Sequence, residues 1–74
     1  MDIIRYYEIV IKTYHGEPVG RLRFERNGTL EESALYSIPE LNNLILLLEQ
    51  GGGMGSFAIG CQLEKGARFT VCTE

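Results

Sequence analysis

The chain has 74 residues, 45% of them hydrophobic, with 7 Lys and Arg set against 10 Asp and Glu for a formal net charge of -3. That length holds one small domain over residues 1–74 and buries only about 60% of the surface its unfolded form exposes, so its own core is thin. The apolar fraction excludes disorder, the run Leu44–Leu48 is far short of the ~20 residues of a membrane span, and the acidic balance disfavours a stand-alone nucleic-acid binder.

Residues 3–14 are rich in β-branched and aromatic types, which is strand composition. Tyr7, Ile9 and Ile11 fall on one face; Tyr6, Glu8, Val10 and Lys12 fall on the other. His15-Gly16-Glu17-Pro18 reads as a four-residue turn, and residues 19–26 alternate as a second strand. Leu22 and Phe24 then sit beside Ile9 and Ile11, while Arg21, Arg23 and Glu25 point away. One register sets Glu8 opposite Arg23; a shift of two residues sets it opposite Glu25 and is less favourable. Asn27-Gly28 ends this strand. Residues 29–36 are either a short third strand or a loop, because a two-residue turn would land Leu30 on the polar face.

Residues 37–50 read as the one helix. Ser37-Ile38-Pro39-Glu40 is a capping box with proline in the first turn, and Gly51-Gly52-Gly53 supplies the stop. Leu41, Leu44, Ile45 and Leu48 make the apolar stripe. Leu46 and Leu47 lie outside it. Either residues 29–36 fold back over them, or they meet a second copy or a partner protein.

Residues 56–73 read as a second hairpin. Phe57, Ile59, Cys61 and Leu63 share a face with Ala67, Phe69 and Val71 when Glu64-Lys65-Gly66 forms a three-residue loop. In that register Cys61 and Cys72 point to opposite faces and cannot bridge. No secretory signal pattern is visible, so a reducing, cytoplasmic setting is expected. The expected fold is α+β: an antiparallel sheet of four strands from two hairpins (a fifth if residues 29–36 pair), with one helix on one face, in the order ββ-α-ββ.

The motifs offer little chemistry. Gly51–Gly55 follows a helix, whereas a phosphate loop precedes one, and no Lys-Ser or Lys-Thr closes it. Its bland reading is a connector, with Met54 at the tip as an adaptable contact. His15 is the single histidine, in a turn, with no nucleophile or carboxylate placed beside it. His15, Cys61 and Cys72 lack metal-ligand spacing, so no metal or cofactor is expected. The open sheet face gathers Tyr6, Arg21, Arg23 and Arg68, which suits a protein-binding face better than an RNA platform with one aromatic. The first strand, dense in Ile, Val and Tyr, is a candidate edge for strand pairing.

No stretch carries a family signature. In size, acidity and composition the chain resembles the small inhibitor proteins of phages and mobile elements, anti-CRISPR proteins among them. The resemblance implies inhibition by occupying a surface of a larger host protein. The expected function is therefore a non-catalytic protein-binding module, inhibitor or homodimer, working through Leu46, Leu47, Met54, Tyr6, Arg21, Arg23 and Arg68. A nucleic-acid-binding regulator using the arginine-bearing sheet face is the alternative. A third is a small enzyme or ligand carrier assembled in an oligomer around His15.

Overall fold

The computed structural model describes residues 2–51, 57 and 59–74. Its elements are β1 (Asp2–Tyr14), β2 (Glu17–Arg26), β3 (Thr29–Glu32), β4 (Tyr36–Ser37), α1 (Ile38–Glu49) and β5 (Cys61–Thr73). The architecture is α+β, with one helix on a five-stranded sheet. The main strand order is β3-β2-β1-β5, with β4 also on β2.

β1 and β2 form the expected hairpin in the more favourable of the two registers, with Glu8 opposite Arg23 and Ile9 opposite Leu22. The turn is two residues rather than four. His15 and Gly16 both take positive φ, 52° and 79°, and Tyr14 pairs with Glu17. Positive φ at both turn positions matches the right-handed twist of the flanking strands. Asn27 and Gly28 repeat the device, at 53° and 79°, and return the chain as β3. Residues 29–32 are thus a strand, and Leu30 does land on the polar face, opposite Glu25 and exposed.

Ser33 manages the step from β3 to β4 along the same side of β2. Its backbone N–H donates to the Leu22 carbonyl at 2.9 Å, and its Oγ accepts from the Leu22 N–H at 2.9 Å. Tyr36 and Ser37 then pair with Gly20 and Val19. The buried Leu22 backbone keeps both its partners although no strand residue faces it there.

α1 carries the expected cap. Ser37 is the N-cap, its side chain accepts from the Glu40 N–H, Glu40 reaches back, and Pro39 lies in the first turn. Gln50 closes the helix and Gly51, at φ 88°, leaves it. Leu41, Leu44 and Leu48 are buried and Ile45 is packed against them. Each such leucine contributes roughly 1.5–3 kcal/mol through removal from water.

The C-terminal third differs from expectation. Residues 61–73, expected as the end of one hairpin arm, its loop and its returning arm, form one strand, β5, and β5 runs parallel to β1. The sheet is therefore mixed, and β1 is an interior strand between β2 and β5 rather than an edge. Glu64-Lys65-Gly66, expected as a hairpin loop, lies in an irregular stretch. Ile4 pairs with Leu63 and Tyr6 with Arg68, so residues 64–67 bulge opposite Arg5 alone. Gly66 takes φ 77° there, which glycine adopts without steric cost. The bulge turns both Leu63 and Ala67 into the core.

The path of α1 decides what stays uncovered. Its N-terminal end meets β2 at Gly20, where a Cβ would lie 2.9 Å from both Ile11 Cδ1 and Leu41 Cδ2. Its C-terminal end meets the start of β5, where Gln62 Nε2 donates to the Glu49 carbonyl at 3.2 Å. The helix therefore crosses the sheet diagonally. Twelve helical residues span about 18 Å, whereas the thirteen of β5 would extend about 43 Å. The far half of β5 lies beyond the helix. Phe69 and Val71, expected within the core face, are 52% and 59% exposed.

Candidate interaction surfaces

Two surfaces hold the expected site residues, and a third emerges from the structure. The open sheet face carries Tyr6, Arg21, Arg23 and Arg68. Alternation along β1, β2 and β5 places them there, and the β1–β2 register brings the acids between them. Arg23 Nη2 donates to Glu8 Oε2 at 3.0 Å, and its Nη1 lies 3.9 Å from Glu32. Arg21 Nε is 3.4 Å from Glu32, and its Nη2 donates to Glu74 Oε1 at 2.9 Å. The Cys72 thiol donates to Glu8 at 3.4 Å.

The Arg23 guanidinium, and after it the Cys72 thiol, hold the Glu8 carboxyl below the usual carboxylate range. Glu8 in turn raises Arg23. The face is thus a linked set of ion pairs within the chain. Each exposed pair is worth little for stability, yet together they commit Arg21 and Arg23 to internal carboxylates. Val10, opposite Arg21 and Cys72 in register, is buried beneath this layer. Tyr6 is exposed, with its hydroxyl 2.9 Å from Thr70 Oγ1. Arg68 stands beside Tyr6 in register and has no ion pair among the described residues.

The outer face of α1 is the second surface. Leu46 and Leu47 are 54% and 42% exposed. Residues 29–36 do not fold back over them; they run along β2 as β3, Ser33 and β4. The polar neighbours Asn42, Asn43 and Gln50 are exposed around this pair. Met54 lies outside the described residues.

The third surface was not anticipated. Phe69 and Val71 extend the apolar inner face of the sheet to its β5 edge. Phe69 stacks on the buried Tyr7 with ring centroids 5.4 Å apart. Ile9 and Ile11 lie half-buried beside them. The signal in the sequence was the ratio of one short helix to strands of such length.

The rest of the chain's chemistry is absorbed locally. His15 sits exposed in its turn, edge-on to Tyr14 at 4.2 Å. No disulfide joins the cysteines: Cys61 is in the core and Cys72 on the open face, as alternation required. Burial pushes the Cys61 thiol up, with Arg26 opposing and Glu31 and Asp2 adding to the rise. Arg26 forks onto Glu31, with Nε 2.7 Å from Oε2, and also donates to the Ile59 carbonyl, tying the approach to β5 onto β2. Among the described residues no group of three His, Cys, Asp or Glu is placed to hold a metal ion, and no helix is long and apolar enough to cross a membrane. Comparison with family models, curated proteins and solved structures finds no match.

Proposed function

We propose that the protein is a non-catalytic binding module that acts by occupying a surface of a larger protein in the cytoplasm. The observation that carries this reading is the adjacent pair Leu46 and Leu47, held outward on a capped and rigidly packed helix, with nothing of the described chain over them. An apolar pair rimmed by amides suits an apolar groove on a partner, read from one helix face. Occupancy needs only about 800 Å² per partner, which a domain of this size can present. The mode of action is that of the phage and mobile-element inhibitors, anti-CRISPR proteins included, that the chain resembles in size and composition. The internal pairing of Arg21 and Arg23 weighs against the nucleic-acid alternative.

The test is capture from the source organism's lysate, with and without nuclease, by the wild-type chain and by the double variant Leu46→Glu/Leu47→Glu. The reading expects one protein at near-equal stoichiometry, insensitive to nuclease and lost with the variant. Added wild-type chain should then lower that protein's activity in vitro. Capture abolished by nuclease would move the function to the open sheet face. A double variant that unfolds would show the two leucines to be structural.

A further inference from the structure

We propose that two copies of this chain pair edge to edge through β5, antiparallel about a two-fold axis at Val71. The proposal stands on β5 alone and does not depend on the partner taken by α1.

β5 is an edge strand, and its regular half is Arg68–Thr73, opposite Tyr6–Ile11. The direction of its free backbone groups follows from one bond. The Glu74 N–H donates to the Ile11 carbonyl at 2.8 Å. Residues alternate along a strand, so Thr70, Cys72 and Glu74 aim their backbone groups at β1. Phe69, Val71 and Thr73 aim theirs outward. An antiparallel copy would satisfy all three.

The side chains fix the register. With Val71 on the axis, Phe69 faces Thr73 of the partner subunit, and Arg68 faces Glu74 of the partner subunit, twice by symmetry. Arg68 is the arginine without an ion pair among the described residues, and Glu74 lies on the same sheet face, where it already accepts from Arg21. A carboxylate can accept from two guanidinium groups. Moving the axis two residues back, to Phe69, sets Glu64 against Glu74, a like-charge pair. Moving it one residue back, to Thr70, leaves Arg68 against Cys72. Opposite charges across strands stabilise and like charges destabilise, so the Val71 register is preferred.

The apolar surface fits the same axis. Phe69 and Val71, more than half exposed, lie on the inner face beyond the reach of α1. Across the axis Val71 meets its own copy, and Phe69 lies diagonal to it. The two uncovered corners become one apolar strip between the two helices. Such an interface is isologous, and it closes an edge that would otherwise remain a template for pairing.

Sedimentation of the wild-type chain across the micromolar range tests the proposal, alongside Val71→Lys, Arg68→Glu and the exchange Arg68→Glu/Glu74→Arg. The wild type should show a concentration-dependent dimer. Val71→Lys sets like charges face to face and should weaken it roughly 100-fold. Arg68→Glu should weaken it, and the exchanged pair should restore it. Amide exchange of the wild type gives a readout free of folding defects. The outward N–H groups of Phe69, Val71 and Thr73 should gain protection with concentration. A monomer at all concentrations, a dimer indifferent to Val71→Lys, or unprotected amides at those three positions would overturn the proposal. Failure of the exchanged pair to restore a dimer that Arg68→Glu dissolves would overturn the register.

Discussion

Glu8 and Arg23 face each other across β1 and β2 with 3.0 Å between Oε2 and Nη2, and Cys72 on β5 donates to the same carboxylate oxygen. One side chain thus ties the β1–β2 hairpin to β5, whose Cys72 lies 64 residues further along the chain. The folded state holds the Glu8 carboxyl below its usual range. A depressed carboxylate contributes stability that is present above its unfolded value and lost as pH falls through the folded one. Thermal midpoints should therefore decline on acidification below the usual carboxylate range. Glu8→Gln should show a shallower decline there than the wild type, measured by circular dichroism against pH.

Ser33→Ala should destabilise by about 1–3 kcal/mol, because it leaves the Leu22 N–H buried without an acceptor. Leu22 is fully buried and Ser33 is itself buried, so water has little access to substitute. Urea denaturation would measure the loss. The adjacent change Ala34→Ser, at an exposed position, is the control and should be close to neutral.

Gly20→Ala should also destabilise, by roughly 1–3 kcal/mol, through overpacking. The added Cβ meets Ile11 and Leu41 at 2.9 Å, where the first turns of α1 rest on β2. Combining it with Ile11→Val, which removes the clashing Cδ1, should recover part of the loss. A shortfall in that recovery would assign the strain to Leu41.

The helix offers a contrast between neighbours. Leu48→Ala should cost about 2–5 kcal/mol, whereas Leu46→Ala and Leu47→Ala should each change stability by less than about 0.5 kcal/mol. The first is fully buried and the other two are not. Equal costs would place Leu46 and Leu47 in a core that the isolated chain does not show.

The two thiols should separate by reactivity. Cys72 is partly accessible, and Cys61 is in the core with its thiol pushed up by burial. A thiol reagent near neutral pH should modify Cys72 in the native protein and Cys61 only on unfolding. Mass spectrometry of the singly labelled species identifies the site. Tyr7 is raised by its burial, with Glu49 adding to the rise. A raised acid favours the protonated form in the fold, so stability from both groups is lost as pH rises through their folded values.

Half of this architecture was written locally and half was not. The β1–β2 register was legible only in part: Ile9 and Leu22 fit either alignment, and the opposite charges of Glu8 and Arg23 favour the observed one. The helix was legible because Ser37 and Glu40 mark its start and glycine its end. β5 was misread because Cys61, Leu63, Ala67, Phe69 and Val71 share one parity. A hairpin with a three-residue loop and a single strand with a bulge both satisfy that parity, and Gly66 is at home in either. What decided the matter was a need elsewhere. β2 reaches only Glu8–Tyr14, so Asp2–Tyr7 required another neighbour. Choosing a partner some sixty residues away is a global competition that no local window reports. Leu46 and Leu47 were legible as misfits to the helix stripe. Phe69 and Val71 were not, because their exposure depends on where the helix ends.

The parallel pairing of β1 with β5 has a consequence for the order in which the chain assembles. β1, β2 and β3 are joined by two-residue turns and can zip as soon as they emerge from the ribosome. The outer side of β1 must wait until residues 61–73 have been made, on the order of seconds at ~5–20 residues per second. During that interval the nascent chain displays a long strand dense in isoleucine and tyrosine, with the backbone groups on its β5 side unpaired. Asp2–Ile11 are thus shielded only by a segment made some sixty residues after them.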